Sequence, residues 1–383
     1  MNIGIAGAGI VGRLLAWRLL RLGHKVTLFD NDIHGDKSAG WIAAAMLAPF
    51  SEVASCDPAI FRPGLAGIKQ WRTWIAELAV EVNETIEFKV NGSVVVAHHS
   101  DHADLQWFFQ RLQAISEVPK DHVHWITKEK IRALEPELNR FEQGIYLPQE
   151  GYVDNRQLYR ALAKAIKNAG GELVDKTEIS DVQCGLIWSN DKSWAFDLII
   201  DCRGFGGKKS LRSFRGVRGE VLWVKAPEVN LTRPVRLMHP RYQIYISPRS
   251  DNHYVVGATE IESESIESVT VRSQLELLSA LYSVHSGFAE AKVLEARAHC
   301  RPTFSDNLPK IVKAPGLLRV NGLYRHGYLL SPTLVNSTLA VIDNKPPLNP
   351  VGLHELGAAF KQSSAKTATK ATTLTSTKTE IPS

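Results

Sequence analysis

The sequence of 383 residues predicts an α/β protein of two interwoven domains, and three observations carry the prediction. A strand, a glycine turn, a helix and a second strand follow one another within about 30 residues of the amino terminus, the βαβ unit of a parallel sheet. After residue 54 the texture changes to Trp-rich helical stretches alternating with short apolar strands, which reads as an inserted α+β layer. A chain of this length also exceeds what one hydrophobic core usually organises.

Taken in order, residues 2–6 form a short apolar strand and 10–22 have helical spacing that ends at Gly23, a natural helix stop. Residues 25–29 are the second strand. The inserted layer holds a helix around Trp71 and Trp74, a strand at 93–97 and an amphipathic helix around Trp107. Residues 155–168 place Leu158, Leu162 and Ile166 on one stripe, with Gly170 and Gly171 as the stop. Strands are expected at 172–179, 185–188 and 198–200, then at 221–224, 243–246 and 254–256, followed by a helix over 271–285. A glycine-rich segment at 321–327 precedes a final helix expected to begin near Pro332. The Thr/Lys/Ser-rich stretch 361–383 has almost no large apolar residues to offset its ordering entropy, so disorder is expected there.

Composition excludes several classes. Hydrophobic residues make up 44% and charged residues 22%, which suits neither a membrane channel nor a disordered chain. The net charge of +5 comes from basic residues spread among acidic ones, so no nucleic-acid partner is expected. No run approaches the roughly 18 apolar residues of a membrane helix, so stable membrane insertion is not expected either. Arg13 and Arg18 interrupt the apolar amino terminus, which therefore reads as folded structure and not as a secretory signal. Cys56, Cys184, Cys202 and Cys300 lie far apart without metal-ligand spacing; no metal is expected, and a reducing, cytoplasmic setting is.

The segment Gly7-Ala8-Gly9-Ile10-Val11-Gly12 matches the pattern GxGxxG. Its context gives it weight: a strand precedes it, a helix follows, and Asp30 ends the next strand at about the 20-residue offset of a ribose-binding carboxylate. Gly7 permits a tight turn, Gly9 lets backbone approach a pyrophosphate, and Gly12 allows close packing of helix on strand. The phosphates of a bound dinucleotide then face the free amides and positive end of the helix. The motif alone leaves FAD and NAD both open, but no second GxGxxG follows a strand in mid-chain, and no nicotinamide-type catalytic constellation has convincing spacing.

Motif order adds a resemblance. Besides residues 4–30, the segments Ala43-Ala44-Ala45-Met46-Leu47-Ala48-Pro49, Gly151-Tyr152-Val153-Asp154, Asp201-Cys202-Arg203-Gly204, Arg215-Gly216-Val217-Arg218-Gly219-Glu220, Tyr245-Ile246-Ser247-Pro248-Arg249, Val256-Gly257-Ala258-Thr259-Glu260, Cys300-Arg301-Pro302 with Asp306, and Asn321-Gly322-Leu323-Tyr324-Arg325-His326-Gly327 occur in family order. Together the chain resembles the D-amino-acid oxidase type of FAD-dependent oxidoreductases, and within it the glycine oxidases associated with thiamine thiazole synthesis. The resemblance implies a Rossmann-like FAD-binding domain with a parallel sheet over 1–55, 140–215 and 300–345. It implies an α+β substrate domain built on an antiparallel sheet over 56–139 and 216–299, and a mostly disordered extension over 346–383.

It also implies roles. Gly7, Ala8, Gly9, Ile10, Gly12 and Asp30 hold the adenosine and pyrophosphate side of FAD, and Ile179 meets the adenine through its main chain. Ala44, Ala45 and Met46 lie along the isoalloxazine, with Ala45 where the family commonly has Gly. Gly204 ends a strand beside the cofactor, and Tyr324, Arg325, His326, Gly327, Tyr328 and Leu329 run past the pyrimidine edge. The implied reaction is oxidative deamination of glycine, with sarcosine and small D-amino acids as further substrates, by hydride transfer from Cα to flavin N5. Oxygen accepts the electrons as peroxide. Arg301 supplies the planar fork that suits a substrate carboxylate, Tyr245 points its hydroxyl at the substrate and Arg325 is a second substrate-side residue. Two other readings stand beside this one: a D-amino-acid dehydrogenase passing electrons to a quinone, and a non-catalytic FAD-binding partner protein. Homo-oligomerisation is left open.

Overall fold

The computed structural model describes residues 1–190, 192–240, 244–347 and, for backbone only, 352–355. Strand β1 (Asn2–Ala6), helix α1 (Ile10–Arg21) and strand β2 (Lys25–Phe29) form as their apolar spacing dictates. β1 lies inside a seven-stranded sheet, between Leu198–Asp201 and β2, both parallel to it. Glu172–Val174 extends the sheet beyond β2, and Leu317–Asn321 extends it in parallel beyond Leu198–Asp201. Lys310–Ala314 then turns back antiparallel, and Gly352–Glu355 closes that edge. Because β1, Leu198–Asp201 and Leu317–Asn321 run the same way, the turns that follow them open on one edge of the sheet, where α/β proteins bind ligands.

The helices over this sheet share one core with it. Trp17, Trp71, Leu162, Leu334 and Val335 are fully buried together, and Trp17 meets Trp74 edge-on at 6.0 Å. The final helix, Gly327–Ile342, begins five residues before Pro332 and carries that proline inside it. Proline has no amide to donate to the carbonyl four residues back. The indole Nε1 of Trp71 donates to that carbonyl, on Tyr328, at 2.7 Å, so the interior proline leaves no buried acceptor orphaned.

The second sheet has eight strands, antiparallel except where Ser93–Ala97 runs parallel to Val235–Met238. Its longest pair, Phe214–Lys225 with Lys292–Phe304, fixes the register that sets Val217 opposite Arg301. The partition drawn from the sequence needs three corrections. Gln143–Leu147 pairs with Ser93–Ala97 in the eight-stranded sheet and so does not belong with 140–215 in the nucleotide domain. Helix Phe61–Val82, assigned to the substrate domain, buries Trp71, Trp74 and Leu78 in the core of the parallel sheet. Lys292–Phe304 is one continuous strand across the boundary drawn at 300. The strand expected over 172–179 ends at Val174, which leaves Ile179 in a loop. Gly352–Glu355 lies in the extension expected to be mostly disordered; the rest of that extension past residue 347 is outside the described residues. No helix among the described residues is long and apolar enough to cross a membrane.

Candidate active site

At the nucleotide end, recognition rests on backbone geometry. Gly7 has φ +100°, where an L side chain is strained, and a Cβ there would lie 2.7 Å from the Cys202 carbonyl oxygen. A Cβ on Gly12 would lie 1.9 Å from the carbonyl oxygen of Gly7, so the first turn of α1 can sit on the glycine loop only without one. Gly9 and Gly327 differ: a Cβ on either meets nothing within 4 Å, and both line the same cavity, so they leave space for something other than protein. Asp30 accepts from the Ala8 amide at 2.6 Å and from the Asp32 amide at 2.9 Å. Burial pushes its carboxyl above the ordinary range despite those two bonds.

Sequence reasoning missed Arg13 as a functional residue. It is buried in α1, donates from Nε to the Ala8 carbonyl at 2.7 Å, and lies over the Tyr159 ring at 4.6 Å. An arginine on the buried face of an otherwise apolar helix is the signal that could have found it. On the neighbouring strand end, Asp201 accepts from Nε and Nη2 of Arg203, each at 2.9 Å, which fixes the turn leading to Gly204. Arg203 Nη1 also takes the Ile179 carbonyl at 3.1 Å.

The cavity has a volume of about 1140 Å³ and runs from Asp30 past residues 43–46 to Tyr245, Arg301 and Arg325. That exceeds the range of about 300–1,000 Å³ for drug-sized ligands and suits a dinucleotide with room for a small substrate. Its middle wall is held by a second missed residue, Arg249. This buried guanidinium donates to the Ala44 carbonyl at 2.7 Å, the Pro248 carbonyl at 2.7 Å and Ser247 Oγ at 2.8 Å. Among the described residues it has no carboxylate ion pair, and burial lowers its pKa. Asn155 donates to the carbonyls of Gly40 and Trp41, and the Tyr328 hydroxyl donates to that of Gly40, clamping the stretch before Ala44. Ala45 has φ +49°, which explains why a glycine suits this position.

At the far end, side-chain charge replaces backbone geometry. Glu52 is buried, with Arg325 Nε at 2.7 Å, Arg236 Nη2 at 3.0 Å and His326 Nε2 at 3.2 Å from its carboxylate oxygens. Burial opposes its ionisation, but Arg325, His326 and Arg236 outweigh burial and hold its carboxyl well below the usual range. Arg325 also donates to Glu260 at 2.7 Å, and the Tyr324 hydroxyl donates to the other oxygen of Glu260 at 2.7 Å. Burial works against the charge of Arg325, yet Glu52 and Glu260 together raise its pKa.

Arg301 is treated differently. It donates from Nη2 to the Thr259 carbonyl at 2.9 Å and has no carboxylate partner among the described residues. Burial and the charge of Arg325 both lower its pKa. Its guanidinium lies over Gly219 on the adjacent strand, where a Cβ would come within 2.5 Å of Cζ. The Tyr245 hydroxyl shares this end of the cavity, its pKa raised by burial.

Of the residues singled out from the sequence, Gly7, Gly9, Ile10, Asp30, Ala44, Ala45, Met46, Gly204, Tyr245, Arg301, Tyr324, Arg325, Gly327 and Tyr328 line this one cavity. Ala8, Gly12, Ile179, His326 and Leu329 do not reach its surface. Ala8 and Gly12 shape the loop from behind, the Ile179 carbonyl is taken by Arg203, and Leu329 packs against Gly64 and Gly67. Glu52, Cys56 and His326 present ligand atoms within 4.8 Å of one another. The charges there oppose a cation: two guanidiniums already neutralise Glu52, and burial and Glu52 push the Cys56 thiol up to about 11.

A glycine loop on a parallel sheet, a ribose-type carboxylate and a cavity that continues to an unpaired arginine define an oxidoreductase that works with a bound dinucleotide. Residues 2–334 match the family described as FAD dependent oxidoreductase (DAO), and the chain belongs to it. Its cofactor is FAD, and the open space beside Gly9 and Gly327 fits that group. Among relatives, the chain is 38% identical over 335 residues to "Putative thiamine biosynthesis oxidoreductase ThiO" of Rhizobium etli, covering 87% of this chain and 94% of that one. It is 27% identical to the glycine oxidase of Geobacillus kaustophilus over 351 residues, covering 86% and 90%. The crystal structure of that glycine oxidase superposes with a TM-score of 0.78 over 91% of this chain and 96% of that one, at 25% identity. An iminodiacetate oxidase from Chelativorans sp. shares the fold, with a TM-score of 0.80 at 24% identity over 92% and 99%.

Proposed function

We propose that this FAD-dependent oxidoreductase oxidises glycine, or an amine of similar size, to the imine, with molecular oxygen as electron acceptor and glyoxylate, ammonia and hydrogen peroxide as products. The observation that carries this reading is Arg301, a guanidinium at the substrate end that is bonded to carbonyls and not to a carboxylate. A planar cation without an anionic partner is suited to receive a substrate carboxylate through two charge-assisted hydrogen bonds. Identity with a glycine oxidase supports the choice of substrate, and identity with a thiamine biosynthesis oxidoreductase supports a place in that synthesis.

FAD, when bound, supplies the two-electron acceptor. The chain's own contribution is alignment. Arg301 anchors the carboxylate, Tyr245 offers a hydroxyl beside it, and the wall 44–46, held by Arg249, would hold the isoalloxazine that the substrate faces. The final helix starts at Gly327 on the cavity wall, so its positive end favours an anionic group there.

Mixing the yellow holoenzyme with glycine without oxygen tests the reading. Loss of the flavin absorbance, followed by peroxide when oxygen is admitted, is expected. Bleaching with slow recovery in oxygen but fast reduction of a dye would replace oxygen by another acceptor. No bleaching by any small amino acid would refute the oxidase reading.

A further inference from the structure

Of the arginines at the substrate end of the cavity, Arg301 and Arg325 are treated in opposite ways by consecutive residues of one loop. Thr259 gives its main-chain carbonyl to Arg301 at 2.9 Å; a carbonyl carries no net charge and leaves the guanidinium's positive charge intact. Glu260, the next residue, gives a carboxylate to Arg325 at 2.7 Å and cancels a charge there. The rest of Arg325 is committed to Glu52, which also takes Arg236. Three guanidiniums, on Arg236, Arg301 and Arg325, thus face two carboxylates, on Glu52 and Glu260. Within these ion pairs every charge but that of Arg301 is matched; the buried carboxyl of Glu150, which Arg236 also feels, is at ion-pair distance from no guanidinium among the described residues.

One carboxylate on a ligand balances that surplus. A second would have to displace Glu260 from Arg325 or lie unpaired beside it. The two glutamates are not equally displaceable: the Glu52 side chain is 11% exposed and bound from three sides, whereas that of Glu260 is 46% exposed. Glu260 is nevertheless aimed, because the Tyr324 hydroxyl donates to its second oxygen at 2.7 Å.

We propose that Glu260 is a specificity-determining residue, which restricts the site to substrates with a single carboxylate by occupying Arg325. The proposal rests on the reading above that Arg301 receives the substrate carboxylate. It predicts that removing the charge of Glu260 converts Arg325 into a second carboxylate site, favouring small amines with two acidic groups.

The test uses non-reacting carboxylates, so it does not depend on turnover. Acetate, malonate and succinate are titrated into the FAD-loaded protein and dissociation constants are read from the flavin absorbance. The wild type is expected to bind acetate more tightly than either dicarboxylate. Glu260→Gln is expected to tighten at least one dicarboxylate tenfold or more relative to acetate. The double variant Glu260→Gln/Arg325→Met is expected to lose that gain, which a merely loosened loop would retain. An unchanged ratio in Glu260→Gln, a gain that survives in the double variant, or a wild type that already prefers dicarboxylates would overturn the proposal. Should Glu260→Gln fail to hold FAD, Arg325→Met alone decides: it leaves Glu260 uncompensated and must weaken dicarboxylates further relative to acetate. Failure of glycine to bleach the flavin would count against the oxidase reading alone, since these ratios are measured separately.

Discussion

The two ends of the cavity are built on different principles. At the nucleotide end, Gly7, Gly9 and Gly12 act through what they lack, and the Asp30 carboxylate on the cavity wall is tied to two backbone amides. At the substrate end, Glu52, Arg236, Glu260, Arg301 and Arg325 act through charge, and they come from five separate stretches of chain. A site made of backbone contacts has no tolerance for added atoms. A site made of balanced charges accepts isosteric changes in shape but responds to any change in ionisation.

The contrast can be broken in either half. The largest effect is expected at Gly12→Ala, because the new methyl would overlap the Gly7 carbonyl oxygen and neither backbone segment can yield without opening the loop. FAD affinity should fall at least a hundredfold, about 2.8 kcal/mol, and the protein should purify colourless while remaining folded by circular dichroism. Undiminished FAD content would show that the loop geometry is not the determinant.

An effect of comparable size, with a different signature, is expected at Glu52→Gln. Removing one partner of a buried ion-pair network costs about 3 kcal/mol, seen as a lower urea midpoint at pH 7. The folded-state pKa of Glu52 is depressed, so its contribution is fully present above the unfolded value and is lost as pH falls through the folded one. The stability gap between wild type and variant should therefore shrink on acidification below about pH 4.3, the ordinary glutamate value. A gap that stays constant down to pH 3 would mean that Glu52 acts by shape and not by charge. The smallest effect belongs to Ala45→Gly. Relief at φ +49° is partly offset by the greater freedom of glycine in the unfolded chain, leaving a gain of about 0.5 kcal/mol.

Legibility from sequence follows the same division. The glycine loop and Asp30 could be read because their contacts are local, set by spacing within one βαβ unit. Arg301 and Tyr245 were singled out by resemblance; Glu260 and Gly219 stood in the matching segments without a role, and Glu52 and Arg236 were not singled out. They become neighbours only in the folded chain: Gly219 and Arg301 through the pairing of Phe214–Lys225 with Lys292–Phe304, Arg236 from the strand Val235–Met238, Glu52 from the helix Pro49–Val53 and Glu260 from the loop after Gly257. Arg325 was read as a second substrate-side residue; its two carboxylate partners lie at sequence positions that carry no common spacing. Pro332 misplaced the start of the final helix because the usual rule puts proline in the first turn, and the compensating donor, Trp71, is more than 250 residues away. The strand Gln143–Leu147 was assigned to the wrong domain for a related reason: only its pairing with Ser93–Ala97, across two intervening α-helices, reveals its sheet.

The central claim is that the uncommitted charge of Arg301 anchors the substrate carboxylate. Its most direct test is an anaerobic titration of Arg301→Ala with glycine, following flavin absorbance. The glycine concentration for half-reduction should rise on the order of a hundredfold while FAD stays bound, with Arg301→Lys in between because an ammonium cannot reproduce the fork. An Arg301→Ala protein that is reduced by glycine at the wild-type concentration would contradict the claim.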